Sequence, residues 1–403
     1  MRRAAAIAVS AVSLAGCTTT VSGSVATTTA PATGGVDITL LEPGNYPTRP
    51  GPPLGKAGDT EKGAWLEAHR MAGYVMGPWE LDPKLSTGVG QIVTKPESFD
   101  DDGTGVGEPA TAHHFVTGFS SSRADDSGPG DMPDKRLRSL GNRVWRFASP
   151  DDAGAAAPEM ADRAADTTEA GSDEPLPYDP LPIPGHPDSI GKIRFSDVLK
   201  AWTVQAFTVH GPYVLIQRAT SKAGVDDAAA LITDALDKQV PLIDRFQPTP
   251  VDALAALPID PEGLLARTLP RPPDDPLRYG ADGVYDAHSQ LHFDGAPART
   301  KGVFDDAGLQ TVAVGRANVY QTPDAASAAK IVDGFTAEMT DGGYVPAPGV
   351  TGLPDAKCLT RKGHDIVFYC VAVADRYTIE VSASQERDVH QRVAAQYLML
   401  TAT

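Results

Sequence analysis

The sequence predicts an α+β protein of two similar halves, each an antiparallel sheet with helices packed on it. Three observations carry that prediction. A strand followed by a Ser/Thr-Pro-Asp helix start occurs twice, as Gly141…Val144…Ser149-Pro150-Asp151 and as Gly315…Asn318-Val319…Thr322-Pro323-Asp324. A hairpin followed by a helix also occurs twice, over 202–236 and over 366–398. Between the repeats runs Pro270-Arg271-Pro272-Pro273-Asp274-Asp275-Pro276, stiff and polar, the kind of stretch that separates domains.

In chain order, Trp65, Ala68, Ala72 and Val75 recur at helical spacing behind a cap at Asp59 or Thr60, which predicts a helix ending before Gly77-Pro78. Residues 98–109, with Asp100-Asp101-Asp102-Gly103, predict an exposed acidic loop, and His113 to Phe119 a strand. Arg143 to Phe147 predicts the next strand. Ser149 as cap, Pro150 at the first helical position and Asp151 and Asp152 in the first turn then open an Ala-rich helix, because acids and a side-chain acceptor satisfy the unpaired, positively polarised N–H groups there. Pro158 is expected to interrupt it. Residues 166–187, acidic and Pro-rich, predict a long surface loop. Trp202–Val209 and Tyr213–Arg218 predict a hairpin across His210-Gly211-Pro212, and Asp226–Leu236 an amphipathic helix with Leu231, Ile232, Ala235 and Leu236 on one side.

The second half repeats this order. Thr311 to Tyr320 predicts one strand, and Thr322 as cap with Pro323 and Asp324 opens a helix whose inner face is Ala328, Ile331, Val332, Phe335 and Met339. Ile366 to Val373 is a continuous apolar run, as in a strand buried on both faces. Tyr377, Ile379, Val381 and Ala383 alternate with Thr378, Glu380 and Ser382, which predicts a strand with one wet face. Val389, Val393, Tyr397 and Leu398 mark a last helix.

The N-terminus reads as an address rather than as fold. Arg2 and Arg3 precede the apolar run Ala4–Leu14, too short to span a bilayer, in the layout of a secretory signal. Leu14-Ala15-Gly16-Cys17 places small residues directly before a cysteine, as in a lipobox, so cleavage before Cys17 and acylation of its thiol are expected. The organisation that follows is a signal peptide at 1–16, a lipidated flexible tether at 17–36, an N-terminal α+β domain at 37–268, the Pro-rich linker at 269–276 and a C-terminal α+β domain at 277–403. The protein is expected on the extracytoplasmic face of the cell membrane, held there by lipid on Cys17. Of the three cysteines, Cys358 and Cys370 remain; an even number outside the cytoplasm, on strands flanking a turn at Lys362–Asp365, predicts a disulfide.

Over 403 residues the net charge is −17, which argues against nucleic acid as a partner and against docking on anionic headgroups. Motifs for chemistry are weak. Gly118-Phe119-Ser120-Ser121-Ser122 lacks the Gly that a nucleophile elbow needs two residues after its Ser, and reads as a polar strand edge with His113 and His114 upstream. The calcium-loop fragment at Ser98–Gly103 has no Asp in first position, and Pro109 stands where its closing Glu belongs. His186, His210, His288 and His292 have no ligand spacing and read as surface or capping residues. No catalytic residue, metal or cofactor is expected.

Several stretches resemble one family: the lipobox, Leu40-Leu41-Glu42-Pro43-Gly44-Asn45-Tyr46, Gly73-Tyr74-Val75-Met76-Gly77-Pro78-Trp79-Glu80, His113 to Arg123, Pro182-Ile183-Pro184-Gly185-His186-Pro187 and His210-Gly211-Pro212-Tyr213. They are similar to the cell-envelope lipoproteins of mycobacteria, nocardiae and relatives that are described only by a domain of unknown function. The resemblance implies the location and a two-part layout, and it implies no chemistry. The helix start at Thr322-Pro323-Asp324 also resembles the extracellular sensor domains of mycobacterial serine/threonine kinases, which carry more disulfides.

The function expected on these grounds is a non-catalytic binding or interaction module, using a groove between the halves for a lipid, a glycan or an envelope protein. Of the aromatics Trp65, Tyr74, Trp79, Trp145, Phe147 and Trp202, most are expected in the core, with one or two, strand-borne, lining the groove, and the surrounding acids are expected to disfavour anionic ligands. The competing expectations are a cell-envelope hydrolase with an unrecognised active site, or tight packing of the halves with function on outer loops such as 166–187.

Overall fold

In the computed structural model, which describes residues 35–99, 105–125, 137–165, 177–272, 282–361, 363 and 367–402, each half is built on a seven-stranded antiparallel sheet. Cys17 with the signal and nearly all of the tether, Asp100–Asp102, residues 166–176 of the acidic loop, Pro273–Pro276 of the linker and His364 lie outside the described residues.

The first sheet contains β1 (Leu85–Val93), β2 (Phe115–Asp125), β3 (Arg138–Phe147), β4 (Asp179–Pro180), β5 (Ile190–Ser196), β6 (Ala201–His210) and β7 (Tyr213–Ser221), in the order β1-β2-β3-β7-β6-β5-β4. The second contains β8 (Gly283–Tyr285), β9 (Thr311–Val314), β10 (Asn318–Gln321), β11 (Val345–Pro346), β12 (Lys357–Arg361), β13 (Val367–Ala374) and β14 (Tyr377–Ala383), in the order β8-β9-β10-β14-β13-β12-β11. Strand for strand the order is the same, so the duplication read from the helix starts and hairpins is present in the topology.

The helices are α1 (Thr60–Ala72), α2 (Gly107–Ala112), α3 (Pro150–Ala165), α4 (Val225–Ile243), α5 (Ala287–Leu291), α6 (Pro297–Ala307), α7 (Ala325–Asp341) and α8 (Glu386–Thr401). Side chains alternate along a strand, so each sheet offers two faces. Phe119 and Val144, paired across β2 and β3, point with Leu215 to the face under α1 and α4. Trp145, Phe147, Phe207 and Ile216 point to the other, beneath the Ala-rich stripe of α3. Likewise α8 covers Val319, Ile379 and Val381, while α7 covers Tyr320, Tyr369 and Val371. Each fully buried Leu, Ile or Phe contributes about 1.5–3 kcal/mol by transfer out of water.

Several expectations change here. Helix α3 runs through Pro158, and α4 through Pro241 to Ile243. Each proline withholds an N–H from the carbonyl four residues back, Gly154 and Asp237, and all four residues are exposed, so water takes the bond. The predicted strand Thr311–Tyr320 is a hairpin, turning at Gly315-Arg316-Ala317. A Cβ on Gly315 would lie 2.7 Å from the Leu269 carbonyl oxygen. The cap of α7 is Asp324, which accepts from Ser327 N–H at 2.8 Å, and the Thr322 hydroxyl instead reaches the Arg376 carbonyl. Strand β14 has no wet face over Thr378 and Glu380, because α7 lies on it and the Thr378 hydroxyl donates to the Ala328 carbonyl. Helix α2 occupies part of the stretch expected as a loop at 98–109.

Cys358 and Cys370 face each other across β12 and β13 and are joined in a disulfide. The stretch before α1 crosses to the second half: Leu41 is buried in its core, and the Tyr46 hydroxyl donates to Asp388. Leu264 and Leu269 are buried there too, so residues 35–403 pack as one unit. Among the described residues no helix is long and apolar enough to cross a membrane.

Candidate functional site

The junction of the halves is made where the C-terminal end of α5 lies on the first sheet. His292 is fully buried there, against Phe119 and Trp79 at ring-centroid distances of 4.8 and 5.0 Å. Its Nε2 lies 3.1 Å from the Ala72 carbonyl oxygen and its Nδ1 2.9 Å from Ser121 Oγ. A carbonyl only accepts, so Nε2 carries the proton and Nδ1 accepts from the serine hydroxyl. Burial, reinforced by the nearby His288 and Arg123, pushes the His292 pKa well below its usual value, so the ring is neutral. Arg123 reaches over Trp79 and donates to the carbonyls of Ser86 and His292, at 2.5 and 2.8 Å; burial lowers its pKa to about 10, and it keeps its charge at neutral pH. At the edge His288 Nε2 pairs with Glu80 at 2.9 Å.

The serine run at 120–122 meets neither of the histidines upstream of it. Strand β2 lies between β1 and β3, and the serine run is not at a sheet edge. His113 pairs with Glu159 and His114 with Asp152, away from the serines, while Ser121 meets His292, which is a buried residue and not the surface or capping one its spacing suggests. Both members are inaccessible, with both ring nitrogens engaged, and neither lines a cleft. The pair pins the halves together. No spacing signal marks it, because its partners are far apart in sequence.

A second buried polar cluster lies under α7. Glu380 accepts from the Tyr320 hydroxyl at 2.6 Å, Asn318 at 2.9 Å and the Tyr369 hydroxyl at 3.0 Å, yet burial outweighs these bonds and raises its pKa. Burial likewise raises Asp294, and lifts Glu338 to about 7. Cys358, Cys370 and His390 also come together, but the sulfurs are spent in the disulfide, and no thiolate is left to bind a metal.

Two clefts open at the junction, and Ile259 lines both. The first, of about 530 Å³, runs between the stretch 47–54, the Lys62 and Trp65 side of α1, and a wall of Leu265, Ala266, Pro270, Val314 and Met399 from the second half. The second, of about 560 Å³, has more polar walls, including His69, Arg70, Glu262 and Asp286. His69 separates them, stacked on Tyr285 at 4.6 Å and against Trp65 at 4.0 Å. A Cβ on Gly283 would lie 2.5 Å from that histidine ring, so glycine is required for the approach.

Most of the aromatics are core, as expected, and the one that lines the first cleft comes from a helix instead of a strand. Trp145 and Phe147, on a strand, are buried beneath α3, and the first cleft takes its aromatic wall from Trp65, on a helix. The charge of the lining also departs from the chain as a whole: Arg49, Lys62 and Arg271 stand against one carboxylate, Asp282.

The N-terminal model of a domain of unknown function (DUF7373) matches residues 54–259, and the C-terminal model of the same family matches residues 264–403. No curated protein matches the chain. Among solved structures, the extracellular domain of PknH from Mycobacterium tuberculosis is similar at 14% identity over 44% of this chain and 97% of that one, with a TM-score of 0.29.

Proposed function

We propose that this chain, which belongs to the DUF7373 family, is a lipid-anchored extracytoplasmic binding module without covalent chemistry, and that its ligand seats an apolar portion in the first cleft at the junction of the halves. The observation that carries the reading is the cleft itself: about 530 Å³, walled by Leu54, Trp65, Leu265, Val314 and Met399, at a boundary between two family domains. Ligand sites favour such boundaries, and most of their wall is apolar. The wall suits a lipid or a lipid-bearing partner better than a glycan, whose hydroxyls would need polar partners. The second cleft offers less apolar wall.

The anchor in this proposal is Cys17, on the grounds of Arg2, Arg3, the apolar run and Leu14-Ala15-Gly16. Intact-mass measurement of protein extracted from its native membrane is expected to show a chain beginning at Cys17 and carrying acyl groups. An unmodified Cys17 would refute the anchor and leave the cleft untouched.

The cleft is tested with N-phenyl-1-naphthylamine, a neutral apolar probe whose emission rises on leaving water. The probe is expected to bind, and Leu54→Asp to weaken it about tenfold, since Leu54 is 40% exposed and the fold tolerates a charge there. Equal binding by the variant, at unchanged circular dichroism, places the probe elsewhere and sinks the proposal.

A further inference from the structure

We infer that the ligand of the first cleft is a single-chain amphiphile with an anionic head, a carboxylate or a phosphate; this rests on the binding function proposed above and names its ligand class. The chain carries 52 acidic and 35 basic residues, so a patch of its surface drawn at random is acidic. The lining of this cleft is the reverse. Arg271 Nε donates to Asp282 Oδ1 at 2.6 Å, so the single carboxylate of the lining is engaged by one of its cations. Arg49 and Lys62 remain, both exposed, and no other carboxylate lines the cleft among the described residues.

Placement strengthens the point. Lys62 stands three residues before Trp65 on α1, so ammonium and indole project from the same side of the helix, one turn apart. Arg49 belongs to a different part of the lining, the stretch 47–54, which Gly51 ties to the second half by donating its N–H to the Ala266 carbonyl at 2.8 Å. An apolar trough with a cation on each of two lining segments matches an acyl chain ending in an anion. It does not match a neutral glycan, which would leave the aliphatic wall unused, nor a cationic amphiphile, which Arg49 and Lys62 would repel. Guanidinium and ammonium both bind carboxylate and phosphate oxygens through charge-assisted hydrogen bonds, so the geometry selects the sign of the head and the next measurement selects its chemistry.

The test displaces N-phenyl-1-naphthylamine from the full chain with four compounds of one chain length: dodecanoate, dodecyl phosphate, dodecan-1-ol and dodecyltrimethylammonium. Dodecanoate, dodecyl phosphate or both are expected to displace the probe at concentrations at least tenfold below those of the alcohol and the cation. Preference for dodecanoate identifies a fatty-acid ligand, and preference for dodecyl phosphate a phospholipid-derived one. The double variant Arg49→Glu/Lys62→Glu is expected to reverse the order, with the cation ahead of both anions. Raising the salt to 1 M should shrink the wild-type preference, since exposed charges are screened over a few ångströms there. Equal displacement by all four compounds overturns the anionic head and leaves the apolar cleft standing. Displacement by none of them overturns both readings. A preference for anions that survives the charge reversal assigns the head to other residues and overturns the inference.

Discussion

Replacing Arg146 with methionine is expected to destabilise the protein by about 3–5 kcal/mol, the range for breaking a buried ion pair from one side. Arg146 is on β3, and its guanidinium meets Glu67 of α1 at 2.7 Å, with both side chains nearly or fully out of water. Glu67 accepts from the Thr249 N–H at 2.7 Å and the Thr249 hydroxyl at 2.9 Å as well, and from Arg70. Arg146 also donates to the Thr249 carbonyl at 2.6 Å. Methionine fills the volume and returns none of these bonds, so the carboxylate stays buried with part of its compensation gone. The effect extends to the proposed site, because Glu67 belongs to the helix that walls both clefts. Urea unfolding followed by circular dichroism measures it. A loss under about 1 kcal/mol would mean that water reaches the pair and that it does not hold α1 in place.

The second large effect is a pH dependence at His292. His292→Gln removes the ring from between Trp79 and Phe119 and disturbs the bonds to Ser121 and Ala72, at a cost of about 2–4 kcal/mol near pH 7.5. In the folded protein the ring's pKa lies well below the usual 6.5, so its contribution is fully present above pH 6.5 and is lost as the pH falls, when the unfolded chain takes up a proton that the folded one refuses. The loss is about 1.4 kcal/mol per pH unit below 6.5. Wild type pays it and the glutamine variant does not, so the gap between them is expected to close towards pH 5. Glu338 acts in the opposite sense. With a folded pKa of about 7, it stabilises the fold below pH 4.5 and loses that contribution as the pH rises through 7. Glu338 and the other buried acids are present in both proteins, so the difference between wild type and variant isolates the histidine. A gap that stays constant from pH 7.5 to 5 would show that the ring titrates alike in the folded and unfolded chain, as a hydrated His292 would, and a gap that widens would show that the ring is charged in the fold.

Much of the fold was legible because its signals are local. The inner face of α7, the hairpin across Gly211-Pro212 and the facing cysteines follow from spacing and turn chemistry within short windows, and two similar windows revealed a repeat. What failed depends on contacts between distant residues. Glu380 alternates with apolar residues and so reads as a wet position, and only Tyr320, Tyr369 and the weight of α7 make it a buried one. Thr322 and Asp324 are equally good caps in sequence, and the pull of the Arg376 carbonyl on the threonine hydroxyl leaves the role to the aspartate. Trp65 fits the periodicity of Ala68, Ala72 and Val75, yet those three are fully buried while the tryptophan is half exposed in the cleft. The expectation that acids would repel anions took net charge for charge distribution, and the cations lining the first cleft run against it.

Photo-crosslinking can show whether an apolar ligand occupies the cleft at the junction of the halves. A fatty acid bearing a diazirine on its chain, bound to the full-length protein and irradiated, leaves its mark on whatever side chains surround the tail. Adducts are expected on Leu54, Trp65, Leu265 and Met399 and their neighbours, from both halves of the chain, suppressed by excess dodecanoate. Adducts confined to one half, on residues away from these walls, would contradict occupancy of the cleft.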